Sequence, residues 1–197
     1  MSAVRAAVLL SGSGRTLANF LEHIARGTLP LEIVAVVASR PDVRGVDVAR
    51  DAGLPVEAFR RRDYPDTAAH NAAINAWLAP HRPQIIVLAG YLSLYASPKE
   101  FTGPVVNIHP ALLPKHGGQG YYGDRVHQAV LAAGDTESGC TVHLVDDRYD
   151  SGRILAQRRV PVLPHDDVGS LAARVFAAEC ELYPEVLAQL AREIAGA

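Results

Sequence analysis

The chain has 197 residues, of which 49% are hydrophobic and 20% charged, and its formal net charge is −2 at neutral pH. These values describe an ordinary globular domain and exclude a general nucleic-acid surface, which needs a basic face. Cys140 and Cys180 stand in unrelated contexts, which excludes a disulfide framework or a Cys-rich metal site, and no apolar run reaches transmembrane length.

Val4 to Leu10 is an apolar run that ends at Ser11-Gly12-Ser13-Gly14 and predicts a buried parallel strand entering a tight turn. No basic region, long apolar stretch or cleavage site precedes it, so a cytoplasmic location is expected. Leu17, Phe20, Leu21 and Ile24 recur at helical spacing up to Gly27. Leu31 to Ala38 predicts a second strand, Val46 to Ala52 a short helix ended by Gly53, and Val56 to Phe59 a short third strand. Thr67 to Leu78 is Ala-rich and helical. Ile85 to Ala89 predicts a fourth strand, stopping at Gly90, and Val105 to Ile108 a fifth. A Gly-rich connection from His109 to Gly123 leads to a helix from Asp124 to Ala133 with Asp124 as its cap. Gly139 to Val145 and Ile154 to Val162 predict two more strands around a polar turn. A long helical stretch from Asp167 to Ala195 follows, with a break expected near Pro184. Strand and helix alternate through the first half. The expected fold is therefore α/β: a doubly wound, mostly parallel sheet, with antiparallel strands toward the C-terminus, in a single domain over residues 1–197. Ligands of such sheets bind beyond the carboxyl ends of the strands.

Three motifs can carry chemistry at those ends. The first is Ser11-Gly12-Ser13-Gly14-Arg15-Thr16, where glycines let backbone N–H groups turn toward an anion at a helix N-terminus. It lacks the third glycine of the dinucleotide fingerprint and the Lys of a Walker loop. A plain strand-to-helix turn has the same sequence, so a phosphate site and a capped turn both remain open. The second is Asn107-Ile108-His109-Pro110. Residues two apart on a strand share a face, so Asn107 and His109 point the same way. An amide donor can stabilise an oxyanion, and a histidine can move a proton. The third is Asp146-Asp147-Arg148-Tyr149-Asp150-Ser151-Gly152, a polar turn whose carboxylate can orient His109 and raise its pKa. The other histidines, His116 and His143 among them, show no metal-ligand spacing and read as packing or surface residues. Cys140 reads as a small core hydrophobe.

Together these residues resemble the phosphoribosylglycinamide formyltransferase family. The resemblance runs from Val8 to Pro184. It rests on SGSGRT (Ser11 to Thr16), VLAGYLSLY (Val87 to Tyr95), VVNIHPALLPKHGG (Val105 to Gly118), GCTVHLVDDRYDSGRI (Gly139 to Ile154) and ECELYP (Glu179 to Pro184). It implies a Rossmann-like formyltransferase fold and transfer of the formyl group of 10-formyltetrahydrofolate, as co-substrate, to the amine of glycinamide ribonucleotide in purine biosynthesis. It implies that Asn107, His109 and Asp150 are catalytic. It implies that Gly14, Arg15, Thr16 and Glu179 bind the acceptor's phosphate and ribose. Leu92, Ser93, Leu94, Tyr95, Asn107, Asp146 and Asp150 are then the folate-binding residues. No metal, nucleic acid or membrane is expected, and the protein is expected to be a monomer or a homodimer.

The chain departs from the family pattern in places. Arg15-Thr16 and Leu92-Ser93 stand where many members have Ser-Asn and Met-Arg. Thr67 aligns with an arginine that holds the folate's glutamate tail in some members, with Arg60, Arg61 or Arg62 as the available substitutes. The stretch from Gly117 to Gly123 is rich in glycine and suits a closing loop. The alternatives are a related folate-dependent formyltransferase, a formyltetrahydrofolate hydrolase and a non-catalytic domain that binds a phosphoribosyl ligand. The first would be expected to bring a C-terminal RNA-binding domain and the second an N-terminal regulatory domain, and the third has no use for Asn107, His109 and Asp150 together.

Overall fold

The computed structural model describes residues 3–196. They form two compact units. One holds the described residues up to Val106 together with those from Leu187 onward, and the other is Asn107–Val186.

The first unit begins with β1 (Val4–Leu10), α1 (Arg15–Ala25), β2 (Leu31–Ala38), α2 (Arg44–Asp51) and β3 (Val56–Ala58). It continues with α3 (Thr67–Leu78), β4 (Ile85–Leu88) and the start of β5 (Val105–His109). β1 pairs in parallel with β2 on one side and β4 on the other, and β2 pairs in parallel with β3. The chain thus runs outward from β1 to β3 and returns to β4 across the starting strand. That reversal is a topological switch point, where the loops after β1 and β4 open a crevice. The apolar runs explain why these strands are central. Ala6, Ala7, Leu9, Leu10 and all of Ala35 to Ala38 have no exposed surface, and each buried Leu or Val contributes about 1.5–3 kcal/mol. Helix α3 starts where Asp66 accepts the N–H of Ala69 at 2.7 Å.

The second unit contains the rest of β5, α4 (Asp124–Ala132), β6 (Glu137–Leu144), β7 (Ile154–Pro161) and α5 (Val168–Gly196) up to Val186. β6 and β7 are antiparallel, from Glu137 opposite Pro161 to His143 opposite Ile154. The strand order is β3-β2-β1-β4-β5-β6-β7, so the sheet is mostly parallel with antiparallel strands near the C-terminus, as the sequence implies. Arg159 and Glu137 form an ion pair across the β6–β7 ladder at 2.7 Å, and charges of this kind keep a sheet edge from pairing further. Among the described residues no helix is long and apolar enough to cross a membrane.

Two local expectations are corrected. Asp124 is the first residue of α4 and Gly123 takes the cap position with φ 52°, so the helix has no capping side chain. Asp124 acts there only as a negative charge in the first turn. Helix α5 also runs through Pro184 without a break. Leu182, Tyr183 and Val186 are buried around it, and their packing outweighs the backbone hydrogen bond that proline removes.

Candidate active site

In the first unit, the loop after β1 is shaped by glycine contacts. Gly14 has φ 74°, and a Cβ there would stand 2.6 Å from the Gly45 Cα at the start of α2. The Gly45 N–H donates to the Gly12 carbonyl at 3.1 Å. Helix α1 therefore begins at Gly14 with no side-chain cap and no acidic residue in its first turn. Such an end favours an anion. Arg15 is exposed and Thr16 half-buried beside it. Across the switch point, Ser11 N–H donates to the Gly90 carbonyl at 3.2 Å, and Leu92 N–H donates to Ser11 Oγ at 3.0 Å. The structure thus brings the first loop and the 92–95 segment together.

Within that segment, Leu92 is exposed and Ser93 and Leu94 are half-buried. Tyr95 is buried and donates its hydroxyl to Asn75 Oδ1 at 2.7 Å, while Asn75 Nδ2 donates to the Ala96 carbonyl at 3.0 Å. Tyr95 therefore fastens the segment to α3. Burial raises its pKa well above the ordinary phenol value. Of the three candidate tail arginines, Arg61 reaches Thr67, with Nε 3.3 Å from Oγ1, while Arg60 is paired with Asp63 at 2.9 Å.

In the second unit, β5 ends at His109, and Pro110 turns the chain away. His109 is only 4% exposed. Its Nε2 donates to the His116 carbonyl at 2.8 Å, which places the hydrogen on Nε2, because a carbonyl only accepts. Its Nδ1 lies 3.3 Å from Asp150 Oδ2. Asp150 sits in the left-handed region at φ 54° and accepts the Gly118 N–H at 2.9 Å. Its other oxygen is 3.5 Å from His143 Nε2. His143 Nδ1 donates to the Leu144 carbonyl at 2.8 Å, and Asn107 Nδ2 approaches His143 Nε2 at 3.1 Å. Asn107, His109 and Asp150 thus form one cluster with His143 as the link. In the neutral His143 ring, Nε2 accepts one amide hydrogen of Asn107 and leaves the second for another acceptor.

The electrostatics correct one expectation. Burial pushes the His109 pKa down and outweighs the upward pull of the Asp150 carboxylate and the His116 carbonyl, so the net value lies below that of an ordinary histidine. Asp150 goes the opposite way. Burial pushes its carboxyl up, but the neighbouring His143 and His109 rings and the Gly118 N–H hold it below the usual range. At neutral pH the pair is a carboxylate beside a neutral imidazole.

The remaining assigned residues lie in the same unit. Asp146 Oδ1 accepts from Arg148 N–H at 3.0 Å and Ser151 Oγ at 2.7 Å, so its carboxylate builds the turn that presents Asp150. Glu179 is half-buried on α5, close enough to Cys140 and Tyr183 to add to the upward push that burial gives both groups. Cys140 is fully buried, as a core residue should be.

Residues 4–187 match the model of the formyl transferase family. The chain belongs to the formyl transferase family. It is 40% identical to the chloroplastic phosphoribosylglycinamide formyltransferase of Vigna unguiculata over 95% of its length, and spans 61% of that protein. It therefore covers less than two thirds of this longer relative. It is 35% identical to the phosphoribosylglycinamide formyltransferase of Haemophilus influenzae, covering 92% of this chain and 84% of the other. The crystal structure of glycinamide ribonucleotide transformylase 1 from Symbiobacterium toebii aligns with a TM-score of 0.89 at 34% identity, over 98% of this chain and 89% of that one.

In this formyl transferase family member, sequence reasoning missed His143. A signal was present in strand β6. Cys140 and Val142 are small and apolar on one face, while Thr141 and His143 carry polar groups on the other. Thr141 Oγ1 donates to the Ala111 carbonyl and accepts the Leu113 N–H at 3.0 Å, so that face braces the loop after β5. Two polar residues spaced by two on a buried strand each need a polar partner, and His143 finds its partners in Asn107 and Asp150.

Proposed function

We propose that this protein transfers the formyl group of 10-formyltetrahydrofolate to the amine of glycinamide ribonucleotide. The observation that carries the reading is the cluster of Asn107, His109 and Asp150 in a member of the formyl transferase family. The amine nitrogen attacks the formyl carbon, and a C–N bond forms as the carbonyl becomes an oxyanion. The second amide hydrogen of Asn107 donates to that oxygen. The amine loses a proton to the Asp150–His109 pair, where Nδ1 is the nitrogen able to take it. A depressed pKa suits this order of events, because the ring is neutral at rest and becomes a cation only when the oxyanion is present. Collapse of the intermediate breaks the bond to the folate nitrogen, and the proton goes to that leaving nitrogen.

Gly14, Arg15 and Thr16 are assigned to the acceptor phosphate, which suits the uncapped start of α1, and Glu179 to the ribose end of the acceptor. Leu92, Ser93 and Leu94 are assigned to the folate, with Tyr95 and Asp146 holding the two folate-lining segments in shape. Arg61 is assigned to the glutamate tail through its approach to Thr67. One family match from residue 4 to 187 supports reading both compact units as parts of one domain. The two free thiols suit a reducing cytoplasm, with small-molecule substrates as partners and a monomer or homodimer as the working form.

The test is an ultraviolet assay of formyl-folate consumption with and without glycinamide ribonucleotide. Consumption that depends on the acceptor supports formyl transfer. Equal consumption without it contradicts the reading and indicates a hydrolase.

A further inference from the structure

His116 has no place in the chemistry above, yet the turn it belongs to touches both groups that move the proton. The His116 carbonyl accepts from His109 Nε2 at 2.8 Å, and two residues on, the Gly118 N–H donates to Asp150 Oδ2 at 2.9 Å. The backbone is left-handed at both positions, with φ 52° at His116 and 93° at Gly118. Glycine accepts that conformation freely, whereas a residue with a Cβ adopts it rarely and needs something to hold it. Gly117 between them is packed tightly, since a Cβ there would run into the Leu113 side chain and meet Asp150 Cβ at 3.4 Å.

The hold comes from the His116 side chain. Its Nε2 donates to Asp135 Oδ2 at 2.7 Å, in the connection between α4 and β6. The other oxygen of Asp135 takes Lys115 Nζ at 2.7 Å. Lys115 is 70% exposed, so that ion pair adds little, while the His116 and Asp135 side chains are only 14% and 16% exposed. Hydrogen bonds from Lys115 and His116 keep the Asp135 carboxyl below its usual range, so it is a firm acceptor at neutral pH.

We propose that His116 is a positioning residue for formyl transfer. By gripping Asp135 it fixes a left-handed turn whose carbonyl sets the tautomer of His109 and whose next N–H but one orients Asp150. With Nε2 committed to the carbonyl, the lone pair of the neutral ring is at Nδ1, beside Asp150, where the proposed function needs it. If the turn drifts, the ring can swap its hydrogen to Nδ1 and present the wrong nitrogen. This inference rests on the role assigned to His109 under the proposed function.

The experiment combines nitrogen NMR of the histidine side chains, recorded on the resting protein without substrate, with steady-state kinetics. The variants are His116→Asn, Asp135→Ala and Asp135→Asn. Asparagine tolerates the left-handed backbone but is too short to reach Asp135. Wild-type His109 is expected to carry its hydrogen on Nε2. His116→Asn and Asp135→Ala are expected to show a mixed tautomer and a kcat lower by about 10- to 100-fold, with both KM values within about threefold of wild type. Asp135→Asn keeps an oxygen for His116 and is expected to retain the wild-type tautomer and most of kcat. The groups that face His109 are Asp150, His143, His116 and His127. Loss of the carbonyl contact removes one of the two interactions favouring the charged ring, so the acid limb of kcat/KM should move to lower pH in the two disabled variants. An unchanged His109 tautomer or an unchanged kcat in folded His116→Asn or Asp135→Ala would overturn the proposal. Asp135 lies outside the turn, so Asp135→Ala decides the matter if His116→Asn does not fold. A wild-type protein with no formyl transfer would remove the proposed function, and the tautomer readout would still decide whether His116 positions His109.

Discussion

Asn107 has two amide hydrogens, and His143 Nε2 takes one of them at 3.1 Å. The second is the donor assigned to the oxyanion. Asn107→Ala should therefore lower kcat by about a hundredfold or more while the protein stays folded, as measured by steady-state kinetics beside a thermal melt. That Asn107 and His109 would share the end of one strand was legible, because alternation on a strand puts them on one face. His143 was not, because a single histidine in an apolar run usually packs, and its partner lies 36 positions away in the chain. The charge state of His109 was also beyond the sequence. A neighbouring carboxylate argues for a raised pKa, and only the 4% exposure of the ring shows that burial wins.

Among the elements, α5 has the most explicit start signal. Asp167 Oδ1 accepts the Ser170 N–H at 2.7 Å, and the Asp167 N–H donates back to Ser170 Oγ at 3.0 Å. This reciprocal cap satisfies two backbone donors. Asp167→Ala should lower the midpoint of urea unfolding, with no change in kcat. Most elements could be read directly. Thr67–Leu78 and Leu31–Ala38 have the bounds that helical spacing and the apolar run indicate. The two errors have different causes. At Asp124 a favoured cap residue stands one position inside the helix, because Gly123 with φ 52° makes the turn that α4 starts from. At Pro184 local propensity argues for a break, and the buried residues on either side override it.

For the whole molecule, the mostly parallel sheet and the family membership were legible because the glycine and proline signals fall at the strand ends that also carry the motifs. The direction of the pH response was not, since it depends on burial. His109 and His127 both have pKa values pushed below the ordinary histidine value, chiefly by burial. The unfolded chain therefore binds their protons at a higher pH than the folded one does. Stability from this source is fully present above about pH 6.5 and declines as pH falls below it. The carboxylates of Asp146 and Asp150 have lowered pKa values and act in the same direction, with their share lost at lower pH, as the folded carboxyls take up protons. Thermal melts between neutral pH and pH 4 should show a steady fall in Tm, and a flat profile would contradict the buried neutral state of His109 and His127.

The most direct measurement follows the formyl carbon itself. The protein is incubated with 10-formyltetrahydrofolate labelled with carbon-13 in the formyl group and with glycinamide ribonucleotide, and the products are read by NMR. The expected result is label in a new formamide on the acceptor, formed in step with tetrahydrofolate and about a hundredfold more slowly in Asn107→Ala. Label found only in free formate, or remaining on the folate with the folded protein present, would contradict formyl transfer.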